Sequence, residues 1–303
     1  MKADIILIRY GELALKSAYV RRVFETTLLK NIQQACMLSA ISYDLSKERG
    51  RLYLKTDNIP KACSLLQKIF GIVSVSPAQV IPSTMTSLKK AAVALCSKKL
   101  TPQKSFALRV TRTGTHSYTS QDVAVEVGKQ LVETFGARVD LTTPDFELFL
   151  EVRQDTAYLF LEKLKGVGGL PMGTQGRILA LIEDTHSLLA SWYMLKRGCQ
   201  TVFLVTDPSL HSQVEHFQKH WYLSSEILTL ENDADVFPSI NTLAQNKKCD
   251  AICCGITLAE TSEDVLSRLF HYKNQITVPL LYPLIAFGHK DLEEKWKQVG
   301  GIS

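Results

Sequence analysis

Between residues 166 and 173 the chain reads Gly-Val-Gly-Gly-Leu-Pro-Met-Gly, four glycines and one proline in eight positions. Such a stretch resists helix and strand alike, because glycine loses the most backbone freedom on ordering and proline has no N–H to donate. It splits the chain into two segments, and these follow different patterns. Downstream, short apolar runs alternate with amphipathic segments. Strands are expected at 177–182, 201–205, 226–230, 250–254 and 278–284, with helices near 187–197, 209–222, 236–246, 262–272 and 290–298. That alternation implies a mostly parallel sheet covered by helices.

Upstream the order is different. Residues 4–9 form an apolar run. From Ser17, Val20, Phe24, Leu28 and Ile32 recur every fourth position, which is helical spacing with Ser17 placed to cap it. Strand-like runs at 40–45 and 51–56 flank the turn Glu48-Arg49-Gly50. Pro60 opens a second helix closing at Gly71, and residues 72–81 return to strand. The order βαββαβ is that of a ferredoxin-like module. A second module follows Pro82. It has a helix over 84–98 with Leu88, Ala91, Ala92 and Leu95 inward, a strand over 105–111, and a helix over 121–135 through Val123, Val127, Leu131 and Phe135. A hairpin of 147–152 and 157–161 turns at Gln154-Asp155. The expected domains are therefore 1–81, 82–168 and 175–303, a combination of α+β and α/β architecture.

With 46% hydrophobic and 21% charged residues, wholesale disorder is excluded. No run of 18 apolar residues is present, so no membrane span is expected, and the opening Met-Lys-Ala-Asp does not read as a secretory signal. Seven cysteines, an odd number, suit reduced thiols in the cytoplasm. The net charge of +5 is unevenly held. Residues 1–170 carry 24 Lys and Arg against 15 Asp and Glu, whereas residues 171–303 carry 11 against 15. A basic half joined to an acidic one suggests a polyanionic partner for the first, although uneven surface decoration gives the same asymmetry.

The segment from Arg109 to Ser120 joins a strand end to a helix start and holds Arg109, Arg112, His116, Tyr118 and several hydroxyls. Helix N-termini favour anions, and arginine can grip phosphate oxygens in pairs. His116 or Tyr118 could stack on an unpaired base or pack on a ribose. The plainer alternative is a solvated, hydroxyl-capped loop. Lys16, Arg21 and Arg22 make a second basic patch on the first helix, where charge also serves solubility alone.

Three motifs then fall in one order: Arg9-Tyr-Gly-Glu12-Leu-Ala-Leu-Lys16, Phe106-Ala-Leu-Arg109-Val-Thr-Arg112 running to Ser120 and Gly128, and Gly166 to Gly173. Together they resemble the tRNA 4-thiouridine sulfurtransferases (ThiI). The resemblance implies a ferredoxin-like module, a THUMP RNA-binding domain, and a Rossmann-like α/β domain of PP-loop type. It also implies a grip on the acceptor stem of tRNA, with Arg109, Arg112, His116, Tyr118, Ser120 and Lys129 as contact candidates, and Lys16, Arg21 and Arg22 as weaker ones.

The family's PP-loop pattern, Ser-Gly-Gly-x-Asp-Ser, lets backbone amides approach nucleotide phosphates. The corresponding stretch here is Ile182-Glu183-Asp184-Thr185-His186-Ser187. Both glycines are missing, the loop is one residue shorter, and two carboxylates stand where phosphate should lie. The segment from Gly255 to Ser262 keeps only its first glycine and serine in register. Tyr282-Pro-Leu-Ile285 and His289-Lys290 lack the family's arginine and aspartate. The chain also ends before the family's sulfur-transfer cysteine.

Replacement chemistry is weakly supported. Cys253 and Cys254 should point to opposite strand faces, which suits buried inert thiols. His216 and His220 have i, i+4 spacing without an HExxH pattern. Asp184, His186 and Ser187 lie too close in sequence for a triad.

The expectation is a cytoplasmic tRNA-binding protein without catalytic residues, cofactor or metal of its own, acting alone or with a separate modification enzyme or sulfur donor. One alternative is an active ATP-dependent tRNA sulfurtransferase with an altered loop and a partner sulfur donor. Another gives the acidic domain a homodimerising or docking role.

Overall fold

The computed structural model describes residues 3–11, 17–48, 50–230, 236–257 and 262–299. The chain runs β1 (Ile5–Tyr10), α1 (Ala18–Leu38), β2 (Asp44–Glu48), β3 (Arg51–Lys55), α2 (Ile59–Leu66) and β4 (Ile72–Pro82), the expected ferredoxin-like order. Next come α3 (Met85–Cys96), β5 (Ser105–Arg112), α4 (Ser120–Phe135), β6 (Arg138–Val139), β7 (Phe146–Arg153), β8 (Thr156–Phe160) and β9 (Leu164–Lys165). The last part is β10 (Arg177–Ile182), α5 (Thr185–Lys196), β11 (Gln200–Val205), α6 (His211–Trp221), β12 (Ile227–Thr229) and α7 (Val236–Asn246). It closes with β13 (Ala251–Cys253), α8 (Ser262–Gln275), β14 (Leu280–Leu281) and α9 (His289–Val299).

Two compact units result. One comprises Met1–Arg9, Ile41–Ser64 and Ser74–Lys165; the other comprises Tyr10–Ala40, Leu65–Val73 and Gly166–Ser303. In the first, strands line up in the order β2-β3-β1-β4-β8-β7-β5-β6, with β9 paired to β4. Alternation along each strand assigns side chains to faces. Leu148, Leu150 and Val152 of β7 join Phe106 and Leu159 in a core with Leu88, Ala92, Val123, Val127 and Leu131 of α3 and α4. On the other face, Leu7, Tyr53, Ala78, Tyr158 and Phe160 cluster, with the Tyr53 and Tyr158 rings stacked at 5.1 Å.

The second unit holds a parallel sheet in the order β12-β11-β10-β13-β14. Its three central strands, β10, β11 and β13, are buried on both faces, as parallel strands are. Ala180, Ile182, Phe203 and Val205 enter one core, while Leu179, Leu181, Val202 and Leu204 enter the other. Cys253 and Cys254 part in the same way, one to each core, and burial pushes the Cys253 thiol well up.

Three of the boundaries that differ from the sequence reading have a local reason. β2 begins at Asp44, not residue 40, because the end of α1 winds on through Ser39 N→Ala35 O and Ala40 N→Met37 O, with Ala40 at φ +49°. α2 stops at Leu66, five residues before Gly71, as successive turns at Lys68, Ile69 and Ile72 take over. β14 shrinks to two residues because Tyr282–Leu284 already enter turns closed by Ile285 N and Phe287 N. The glycine-rich stretch is no free linker. Leu170 N bonds Lys196 O, Gly173 N bonds Gly198 O, and a Cβ on Gly169 would lie 2.2 Å from Lys196 O.

Candidate nucleic-acid interface

β5, seven of whose residues pair in parallel with β7, carries Arg109 and Arg112 in its C-terminal half. Arg109 is half-buried. Its Nε donates to Glu147 Oε1 at 2.9 Å and Nη2 to Leu141 O at 2.9 Å. Arg112 Nη1 donates to Gly114 O at 2.8 Å and faces His116 Nδ1 at 3.2 Å. Since guanidinium can only donate, Nδ1 accepts, and His116 Nε2 then carries the hydrogen it gives to Gln154 O at 2.6 Å. The Tyr118 hydroxyl donates to Ser83 O, and its ring lies 5.0 Å from that of His116. Thr115 N reaches Gln154 Oε1, and Ser83 Oγ donates to Gln154 O at 2.8 Å. The loop is therefore fastened to the β7–β8 turn through Gln154 and to the β4–α3 junction through Ser83. Gly114, at φ +109°, supplies the left-handed bend that this loop requires.

At the start of α4 the cap is Thr119, one residue before Ser120. Thr119 Oγ1 accepts from Asp122 N, and Asp122 Oδ2 accepts from Thr119 N, a reciprocal capping box. Those bonds from Thr119 hold the Asp122 carboxyl below the ordinary carboxylate range. Ser120 opens the first turn, half-buried. Lys129 is exposed on the same helix, with Glu133 Oε1 at 3.9 Å, a pair of little energetic weight. Arg21 and Arg22 stand on α1, in the other unit, and Lys16 lies outside the described residues.

Sequence reasoning overlooked Glu151. Its side chain is 5% exposed and takes Arg9 Nη2 at 3.2 Å, Arg51 Nε at 2.9 Å and Arg153 Nη2 at 2.8 Å. Arg9 also lies 4.8 Å over the Phe160 ring and donates to Ser76 Oγ. The available signal was Glu151 and Arg153 in alternate positions of an apolar strand, on the face away from the α3–α4 core.

The β10–α5 turn of the second unit is the topological counterpart of a nucleotide loop. Asp184 caps α5: its Oδ1 accepts Ser187 N and Ser187 Oγ, both at 2.8 Å. Glu183 N bonds Ser187 Oγ at 3.3 Å, and the Tyr272 hydroxyl donates to Glu183 Oε1. Ser187 is 2% exposed, and a Cβ on Gly255 would fall 2.7 Å from its backbone N. His186 Nδ1 lies 3.7 Å from Asp184 Oδ2, so both His186 and Ser187 face the same carboxylate instead of forming a relay. Among the described residues no three His, Cys, Asp or Glu side chains gather as a metal site. His220 packs on Trp221 at 5.2 Å, and burial holds its imidazole below the usual range.

A sheet backed by α3 and α4, with an arginine-bearing loop pinned at one end, is the architecture of a THUMP-containing RNA-binding protein. Residues 5–76 match the family model of the ThiI ferredoxin-like domain, and residues 82–162 match that of the THUMP domain. The chain belongs to the tRNA sulfurtransferase family. It is 32% identical to a probable tRNA sulfurtransferase of Methanothermobacter thermautotrophicus, covering 98% of this chain and 85% of that protein. A second, from Methanobrevibacter smithii, is 29% identical over 99% of this chain and 87% of its own. Among solved structures, PH1313 from Pyrococcus horikoshii superposes with a TM-score of 0.85 at 26% identity, covering 98% and 99% of the two chains. A 4-thiouridine synthetase, crystallised with RNA and bound ATP, shares the fold at a TM-score of 0.82 and 21% identity, covering 99% of this chain and 86% of its own.

Proposed function

We propose that this protein binds tRNA at its acceptor stem and does not itself carry out ATP-dependent thiolation. Arg109, Arg112, His116, Tyr118, Ser120 and Lys129 are the proposed contacts, with Lys16, Arg21 and Arg22 adding charge. Arg109 and Arg112 would exchange their present bonds, to Glu147 and to backbone carbonyls, for phosphate oxygens, while the fastened loop holds them in place. His116 and Tyr118 also set that loop through their internal bonds, which leave their ring faces for contact.

The observation carrying the second half of the proposal is the β10–α5 turn. A nucleotide loop presents free amides and backbone room to a polyphosphate. Here Asp184 already accepts Ser187 N, Ser187 Oγ lies against Glu183 N, and Gly255 closes on Ser187 from the other side. A phosphate at this place would displace the cap and meet the carboxylates of Glu183 and Asp184. The role that fits is delivery of tRNA, in the cytoplasm, to a separate modification enzyme or sulfur donor. The test is retention of tRNA by the purified chain, followed by a thiouridine assay with Mg-ATP and a persulfide donor. Bound tRNA without new thiouridine is the expected result.

One observation favours a second reading. Relatives named probable tRNA sulfurtransferase match across nearly the whole chain. On that reading the protein is an active sulfurtransferase with an altered loop and a partner sulfur donor, and the same assay would yield thiouridine.

A further inference from the structure

The second unit contains a groove of about 540 Å³, a volume in the ordinary range of small-ligand sites. It lies between α1 and the N-terminal ends of β10 and β11, away from the β10–α5 turn, and it shares no residue with the THUMP loop. Its lining is polar. Lys30 is exposed on α1 and makes no ion pair among the described residues, and Arg177 reaches Lys247 O and Gln200 Oε1 only at 3.3 and 3.4 Å. Asn31 and Gln34 each spend an amide hydrogen internally. Asn31 Nδ2 donates to Met172 O at 3.1 Å, and Gln34 Nε2 donates to Ser224 Oγ at 2.8 Å. Their carbonyl oxygens therefore remain as acceptors. Thr201 lines the same groove, is 4% exposed, and its Oγ1 has no hydrogen-bond partner among the described residues.

A buried hydroxyl without a partner costs free energy that a ligand can recover. Amide acceptors and an orphan hydroxyl suit a ligand rich in O–H groups, and the two cations, against one lining carboxylate, Glu226, that is itself held by Lys247 Nζ, suit an attached anion. No aromatic ring lines the groove among the described residues, so it offers no stacking platform for a base. We propose that this groove binds a phosphorylated pentose, its hydroxyls toward Thr201, Asn31 and Gln34 and its phosphate toward Lys30 and Arg177. That chemistry is carried both by a free sugar phosphate and by the backbone of an RNA strand. The site goes beyond the tRNA-binding reading and does not depend on it.

The test is calorimetric titration of the full chain with ribose 5-phosphate, and separately with ribose and with inorganic phosphate. Ribose 5-phosphate should bind saturably, about tenfold or more tighter than either half, because each half forfeits contacts of the other. Lys30→Gln and Thr201→Val should each weaken it by about fivefold or more. Thr201→Val removes an unpaired buried hydroxyl at nearly constant shape, so its thermal midpoint should not fall, and a loss of binding is then not a loss of folding. Absence of saturable binding, or undiminished binding in either variant, would overturn the proposal. Titration of tRNA into the loaded protein then separates the sources: displacement assigns the groove to RNA backbone, and retention assigns it to a free sugar phosphate.

Discussion

Asp184 Oδ1 accepts both the amide and the hydroxyl of Ser187 at 2.8 Å, so the first turn of α5 is closed by its own side chains. In a Rossmann-like domain this turn follows the first strand, where phosphate-binding loops stand. Here the same position is a self-satisfied cap, and the buried Ser187 leaves little room beside it.

Asp184→Ala should cost about 1 kcal/mol, the usual worth of an N-cap, while Asp184→Asn should retain most of it. Urea denaturation of the three proteins measures this. Equal midpoints for parent and alanine variant would mean that the cap contributes nothing.

Gly255→Ala should destabilise by about 1–3 kcal/mol, because the added methyl would lie 2.7 Å from Ser187 N and Cα, backbone atoms that cannot rotate away. The same denaturation series reads it. An unaffected variant would show that the β13 end and the α5 start separate at little cost.

How much of this was legible beforehand follows from where the information sits. The alternation of Leu148, Leu150 and Val152 with Glu147, Phe149, Glu151 and Arg153 is a local pattern, and so is the helical spacing from Val20 to Ile32; both elements formed as expected. The Ser17 cap was equally readable. What escaped was set by partners distant in sequence. Glu151 meets Arg9 and Arg51 across 142 and 100 residues, and nothing local marks that convergence. Likewise, Tyr118 reads as an available ring in the sequence, whereas its hydroxyl is taken by Ser83 O, 35 residues away. β6 and β9 are two residues each, too short for any periodicity to show.

Glu151 should matter to acid stability. Burial works to raise its carboxyl, but the hydrogen bond from Arg153 and the charges of Arg51 and Arg9 outweigh it and leave the carboxyl below the ordinary value. A depressed folded value gives stability that is present above the unfolded value, about 4.3, and lost as pH falls through the folded one. Glu151→Gln should cost about 3 kcal/mol or more at neutral pH, because three guanidiniums lose their shared anion. It should also flatten the acid limb of the stability profile. A parallel acid limb in the variant would exclude this group as its source.

Arg109→Ala and Arg112→Ala should each weaken tRNA binding by about 1–2 kcal/mol, the worth of a charge-assisted contact. The loss should be similar for different tRNAs, since phosphate contacts carry no sequence information. Binding of the parent should fall steeply with salt, and each variant should show a shallower slope. Filter binding across a salt series tests both points, and identical slopes in all three proteins would remove these arginines from the interface.

The most direct test of the account is calorimetric titration of Mg-ATP into the full chain already saturated with tRNA. With the α5 N-terminus capped by Asp184 and closed by Ser187 and Gly255, no saturable heat should appear. Stoichiometric ATP binding to the tRNA complex would contradict the account and return this chain to the ATP-using sulfurtransferases.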